Sequence, residues 1–508
     1  MSSTHSQQLT YHEPALPALL TLISLLYLLQ VARGIANYLL GAGLLGEIAL
    51  GVIYGPVAGI LDVEWERSFI AVGYIGLVLI VFEGGLTLRP SSFLPLLPLA
   101  LITALLGILL PMAFTFALFS APTFGYPPLQ AFTAGSALAS TSLGTTFYVL
   151  RAAGPTLGST RVGEILKGAA LIDDVVALVL LSVIQSLGPD PSAVTGLGWT
   201  IGRPVVASAA MALLGPGLGR YLFRPMFRMK RVEGWVEKGG KSAELFLAVA
   251  VLSAFLAIAY YIGTTMLLGA FLAGVFVMQL PSPTSSINFL DTWEVWLVPL
   301  HEHIFVPLFF ASIGLSIPFL SLWTGPRIWR GVVYALLMAL GKVLAGLPIL
   351  VVDLFSPPAA GMAAEDGREG RAGVRAEEAV GNTEAERSCA TMAVERNELE
   401  REKEKEQGRP AKESRLAVLR ETSLSAAAFV GLALVARGEI GILVLQVAYS
   451  SASVSLSSSS SAILSEDAYL ISIWGVALCT ILGPVAFSAL VRRRGGDIRR
   501  GRWGAGRG

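Results

Sequence analysis

Charge is what this chain has least of. Of its 508 residues only 14% are Asp, Glu, Lys or Arg and 54% are hydrophobic, whereas a soluble globular domain carries roughly 25% charged residues. An ordinary soluble enzyme is therefore excluded, and the composition is that of an all-α polytopic membrane protein. Cysteine is almost missing. Cys389, in a polar stretch, and Cys479, in an apolar one, build neither a disulfide framework nor a metal cluster. The four histidines, His5, His12, His301 and His303, are too few and too scattered for a metal site. Basic and acidic residues nearly cancel, 37 against 36, so their placement carries the information. Neither a cofactor nor a nucleic-acid partner is expected.

What is present is a series of apolar runs. A helix needs about 20 mainly apolar residues to cross a bilayer. That length gives thirteen candidate spans, near 16–37, 41–61, 67–88, 92–120, 128–151, 162–187, 198–223, 242–262, 264–281, 297–320, 328–353, 421–450 and 467–491. The first follows a polar start without a basic region and reads as a retained span, not a cleaved signal. The split at Gly263 is set by that glycine alone. Basic residues in connections stay on the cytoplasmic side. They gather after odd-numbered spans, as Arg89, then Arg151 and Arg161, then Arg224, Arg228, Lys230, Arg231, Lys238 and Lys241, and in the tail as Arg492, Arg493, Arg494, Arg499 and Arg500. This places the N-terminus outside and the C-terminus in the cytoplasm. Arg327 and Arg330 run against the bias.

The chain thus divides into spans one to eleven (1–353), an insertion (354–419), spans twelve and thirteen (420–491) and a short basic tail (492–508). The insertion is dominated by Glu, Arg, Lys, Ala and Gly, as in the run from Glu398 to Gln407. It has too little apolar surface to offset the entropy of ordering, and it reads as a solvated cytoplasmic linker in preference to a regulatory segment.

Against this background a few polar residues stand out. Asp173 and Asp174 lie in the middle of the sixth span. An ionisable residue inside a membrane is a candidate for an ion or proton pathway. Consecutive residues on a helix diverge by about 100°, so the two acids face different surroundings and do different work. A carboxylate that accommodates either a proton or a hydrated Na⁺ or K⁺, but not both, couples the two fluxes. Lys342 sits near the centre of the eleventh span, where a carboxylate partner is needed to keep it charged. Glu83 in the third span and Arg437 in the twelfth add further charge, and a Glu83–Arg437 bridge is the expected structural tie, with Glu439 and Glu47 as the other acids within the spans that Arg437 could meet. The fifth span carries Ser140-Thr141-Ser142 between glycines, and the twelfth carries Arg437-Gly438-Glu439. Such interruptions permit broken helices whose freed backbone groups face protein or a water-filled cavity. His301 and His303 read as interfacial histidines.

Several motifs, taken in order, carry a resemblance. They are Gly46-Glu-Ile-Ala-Leu-Gly-Val-Ile-Tyr-Gly-Pro56, Phe82-Glu-Gly-Gly-Leu86, Ile172-Asp-Asp-Val175, Leu268-Gly-Ala-Phe-Leu-Ala-Gly274, Pro307-Leu-Phe-Phe-Ala-Ser-Ile-Gly-Leu-Ser316 and Ala436-Arg-Gly-Glu-Ile-Gly441. The chain resembles the second branch of the monovalent cation:proton antiporter superfamily, which includes bacterial sodium/proton and potassium/proton exchangers. The resemblance covers nearly every span but not the insertion or the tail. It implies an inverted-repeat fold with crossed, broken helices, a core domain moving against a dimerisation domain, and a homodimer. It implies that Asp174 is the principal carrier of cation and proton, that Asp173 helps it with Lys342 as partner, and that Thr141 supplies the polar contact at the crossing, completing the site around Asp174. An Asp-Asp pair with Lys resembles the electrogenic members. The implied cargo is Na⁺ or K⁺, with Li⁺ a further candidate, against H⁺. The stretch from Arg492 to Gly508 is too short for the nucleotide-binding domain that some potassium relatives carry.

Two other classes share some of these features. An intramembrane aspartyl protease also buries two carboxylates, but its acids must meet from separate helices. A channel or a transporter-derived sensor would have the same spans and no cation-dependent proton movement.

Overall fold

Inside a bilayer no water satisfies a backbone amide, so long apolar stretches close their hydrogen bonds internally as helices. A computed structural model describes residues 13, 15–40, 42–87, 94–142, 155–158, 160–187, 197–282, 285–355, 423–450, 463–500 and 503–504, and every regular element among them is helical. The first eight helices are α1 (Leu16–Leu40), α2 (Gly43–Val52, prolonged by a π turn, Ile53–Val57), α3 (Val63–Leu86), α4 (Leu97–Phe119), α5 (Pro128–Ala139), α6 (Arg161–Ser186), α7 (Leu197–Leu218, prolonged by a π turn, Gly219–Phe223, and a last turn, Arg224–Phe227) and α8 (Lys230–Ile262). There follow α9 (Met266–Gln279), α10 (Phe289–Trp296), α11 (Val306–Ser316, preceded by a π turn, His301–Phe305), α12 (Gly325–Leu344), α13 (Leu347–Phe355), α14 (Ser423–Ala433), α15 (Glu439–Ser450) and α16 (Glu466–Arg500).

All thirteen expected stretches carry helix, but among the described residues only nine helices are long and apolar enough to cross a membrane. The shortfall has two sources. The second and ninth stretches hold the shorter helices Gly43–Val57 and Met266–Gln279, and the fifth and twelfth are broken in mid-course. The split at Gly263 holds: this residue ends α8 in the left-handed region, φ 89°, which favours glycine. One boundary moves outward: α16 runs to Arg500, so basic residues expected in a tail lie on a helix. Within α8 the backbone leaves the helical region at Gly240 (φ 60°, ψ −153°), so Lys230, Arg231 and Lys238 lie on a separate helical stretch before that kink and the apolar stretch begins beyond it. The insertion beyond Phe355, the serine run 455–461 and residues 143–154 of the fifth stretch lie outside the described residues.

Two sets of helices pack among themselves. One is α1, α2, α3, α9 and α11; the other is α4, α5, α6, α12, α15 and α16. Small residues let the backbones approach, as they do between helices in lipid. In the first set the contacts are reciprocal: a Cβ on Gly85 would lie 2.1 Å from the Phe271 carbonyl oxygen and one on Gly274 2.3 Å from that of Phe82. Gly51 and Gly314 join α2 to α11 in the same manner. In the second set the order long helix, helix that stops in mid-course, long helix occurs twice, as α4, α5, α6 and as α12, α14/α15, α16. That internal repetition brings two interruptions to one place.

Candidate functional site

Helix α5 stops at Ser140, whose backbone is extended (φ −64°, ψ 145°). Helix α14 stops before Leu434, and Ala436, Arg437 and Gly438 are non-helical before α15 begins. The two interruptions meet directly: the Ser142 amide donates to the Ala436 carbonyl at 3.0 Å. Arg437 Nη1 donates to the Ser140 carbonyl at 2.9 Å, and Thr480 Oγ1 on α16 donates to the Arg437 carbonyl at 3.0 Å. These bonds satisfy backbone groups that the missing helical turns would otherwise leave open. Glycine is required at the contact, because a Cβ on Gly438 would lie 2.4 Å from Ser142 Cβ.

Beside this crossing α6 presents its acids. Its start is capped by Thr160, whose hydroxyl accepts from the Gly163 amide at 3.2 Å, and it runs unbroken past both carboxylates. Asp173 is 1% exposed and Asp174 6%. Lys342 on α12, fully buried, forms an ion pair with Asp173 Oδ2. Its Nζ also donates to Thr141 Oγ1 at 2.9 Å, and Thr141 Oγ1 donates to the same carboxylate oxygen at 2.5 Å. Lysine, threonine and aspartate thus close a triangle linking α12, the α5 interruption and α6. Asp173 Oδ1 is buried without a hydrogen-bond partner. Space for the ammonium group comes from α4, where a Cβ on Gly107 would lie 3.5 Å from Lys342 Nζ.

The structure therefore brings Asp173, Thr141 and Lys342 together with Asp174 on the next residue of α6. It corrects three expectations. Thr141 bonds Asp173, not Asp174, because the interruption of α5 reaches α6 on the face that also meets α12. The Glu83–Arg437 bridge is not formed. Glu83 sits on α3 in the first helix set, where its Oε2 lies 3.3 Å from His301 Nδ1, while Arg437 is committed to the crossing. Glu47 is not its partner either, since it lies 3.5 Å from Arg33 on α1. His301 is only 3% exposed, with Nε2 3.3 Å from the Gly76 carbonyl, so it is a packed residue where an interfacial one was expected. Sequence reasoning also missed Gly107. Its one signal was a small residue opposite a buried lysine, which needs the helix pairing to be known.

Residues 20–361 match the transmembrane sodium/hydrogen exchanger family. Over 308 residues the chain is 27% identical to the Na(+)/H(+)-K(+) antiporter GerN of Bacillus cereus, covering 59% of this chain and 71% of that protein. It is 26% identical over 313 residues to a Na(+)/H(+) antiporter of Enterococcus hirae, covering 58% and 73%. In three dimensions it superposes on the sodium proton antiporter MjNhaP1 of Methanocaldococcus jannaschii with a TM-score of 0.59 at 15% identity, over 95% of this chain and 99% of the other.

Proposed function

We propose that this chain, which belongs to the sodium/hydrogen exchanger family, is a secondary active antiporter that exchanges Na⁺ for protons by alternating access. It is a multi-pass membrane protein, and its two interrupted helices cross at mid-course as in inverted-repeat transporters. The observation that carries the residue assignment is the Lys342–Thr141–Asp173 triangle beside Asp174. Lys342 neutralises Asp173. Asp174, the slightly more exposed acid, takes the cargo: a carboxylate in a low-dielectric site binds either a proton or a dehydrated cation, since leaving its charge uncompensated is costly. Competition for that one group couples the fluxes. Lys342 adds a second protonatable group, so more protons than cations move per cycle and exchange is electrogenic.

K⁺ carriage by the same site is the second reading, supported by the name of the Bacillus cereus relative. The placement of basic residues supports an external N-terminus and a cytoplasmic C-terminus. Arg327, which runs against that bias, lies 2.5 Å from Asp467 and 3.7 Å from Glu466 in the first turn of α16, so an acidic partner holds it where it is. Assembly as a homodimer belongs to the same proposal.

The test is exchange in proteoliposomes carrying an imposed pH gradient. Addition of Na⁺, K⁺ or Li⁺ dissipates the gradient with the wild type, and Asp174→Asn abolishes this while the protein stays monodisperse. No cation-dependent proton movement with the wild type would sink the antiporter reading, and normal transport by Asp174→Asn would move the carrier role elsewhere. A current on the same vesicles at zero pH gradient reads electrogenicity, one charge across 100 mV being worth about 2.3 kcal/mol. Its absence would mean one-for-one exchange.

A further inference from the structure

The end of α7 carries a second feature unconnected with the acids of α6. A cavity of about 350 Å³ opens there, lined by Arg224 and Arg228 together with Gln279, Ser282 and Asn288 among apolar neighbours. The Arg224 guanidinium forms no ion pair with a described residue, and its Nε is closed off from solvent without a hydrogen-bond partner. A buried donor left unsatisfied costs about 1–3 kcal/mol, so this arrangement calls for an acceptor. Arg228 does not relieve it, because its own Nε donates to the Leu280 carbonyl at 3.3 Å and its Nη2 to that of Pro281. Glu233, whose charge acts on Arg228, accepts from the Ser282 hydroxyl at 2.7 Å and forms no ion pair with either arginine. Two guanidinium groups thus share a cavity in which neither is ion-paired to a described carboxylate. Burial and the charge of Arg224 both hold Arg228 below the ordinary range for arginine.

The surroundings indicate the form in which the acceptor arrives. Tyr221, Leu222, Met226 and Met229, on the same turns of the chain, are 80%, 54%, 47% and 58% exposed. A charged cavity bordered by exposed apolar side chains at the end of a membrane helix matches a molecule with an anionic head and an acyl body. We infer that this cavity binds the phosphate headgroup of an anionic phospholipid, with Arg224 as its main ligand. Arginine suits that task because its planar fork meets two phosphate oxygens at once. On the cytoplasmic side, where the charge bias places the end of α7, anionic lipid is the abundant source of phosphate.

The experiment uses purified full-length protein and its Arg224→Gln and Arg224→Lys variants, titrated with phosphatidylglycerol, phosphatidylcholine or inorganic phosphate while thermal stability is followed. Phosphatidylglycerol is expected to raise the midpoint of the wild type, and phosphatidylcholine and inorganic phosphate to leave it unchanged. Arg224→Gln should bind phosphatidylglycerol about tenfold more weakly, equivalent to about 1.4 kcal/mol, with Arg224→Lys between the two. An equal response to phosphatidylcholine, a response to inorganic phosphate alone, or unchanged affinity in Arg224→Gln would each overturn the assignment. If the variants fail to fold, retention of the two lipids by the wild type in native mass spectrometry decides. Equal retention again overturns it. Neither measurement depends on exchange activity, so its failure leaves the antiporter reading untouched.

Discussion

Removing either partner of the Lys342–Asp173 pair should destabilise the protein far more than removing both. Asp173 Oδ2 receives Lys342 Nζ and the Thr141 hydroxyl, and the two charged residues are 1% and 0% exposed. Lys342→Met leaves a carboxylate in the interior with a single hydroxyl for company. Asp173→Asn leaves an ammonium group there without the carboxylate it pairs with. Deleting one member of a buried ion pair costs about 3–5 kcal/mol, mostly because the survivor's charge is stranded, whereas replacing both by neutral groups of similar volume is often close to neutral. Each single variant should therefore lose about 3–5 kcal/mol and the double variant less than either, an interaction of at least about 3 kcal/mol. The measurement is a double-mutant cycle on detergent-solubilised protein, heating each variant and following the monodisperse fraction by size-exclusion chromatography. Losses that add to within about 0.5 kcal/mol, as for independent sites, would refute the pairing.

Two further outcomes follow from the geometry of the crossing. Gly438→Ala should abolish exchange, because its Cβ would lie 2.4 Å from Ser142 Cβ, while Gly84→Ala, with nothing within 4 Å of its Cβ, should not; equal activity of the two in proteoliposomes would contradict the crossing. Glu83→Gln and Arg437→Met should be additive in thermal stability, since Glu83 faces His301 and Arg437 faces Ser140. A coupling above about 1 kcal/mol would restore the bridge that the structure lacks.

The legible part of the molecule was the part written in composition and local order. Apolar length located the helices, and glycine and hydroxyl residues marked where α5 and α14 stop. That Lys342 pairs with one of the two acids of α6 could be said in advance because these charges lie deep in apolar spans, where each needs an opposite partner; that the acid is Asp173 was implied only by the family resemblance. Pairings among the other charges could not be named in advance. Arg437, Glu83, Glu47 and Arg33 are all polar groups in apolar stretches, and periodicity fixes the face of a helix without fixing its neighbour. Glu83 went to His301 because α3 packs on the turn that precedes α11, and Glu47 to Arg33 because α1 packs on α2. The end of α16 drifted for a related reason: basic residues are acceptable on a helix once it leaves the hydrocarbon, so charge marks the membrane boundary but not the helix end.

Thr141 is where the structure changes the division of labour most, and one substitution separates the two possibilities. From the sequence it belonged with Asp174 as a contact for the cation. In the structure its hydroxyl accepts from Lys342 at 2.9 Å and donates to Asp173 at 2.5 Å, with the Leu434 carbonyl a more distant 3.4 Å away. A hydroxyl has one proton, so donation to Asp173 excludes donation to Leu434, and the oxygen is already engaged by the ammonium group. Thr141→Val keeps the shape and removes both bonds, each made to a charged partner and worth about 1.5–3 kcal/mol. If Thr141 positions the Asp173–Lys342 pair, this variant lowers stability and alters the maximal rate of exchange while the Na⁺ concentration for half-maximal rate stays put. If Thr141 is a cation ligand, that concentration rises severalfold with the maximal rate unchanged, the mark of lost ground-state binding. The triangle predicts the first outcome, and the second would return Thr141 to Asp174.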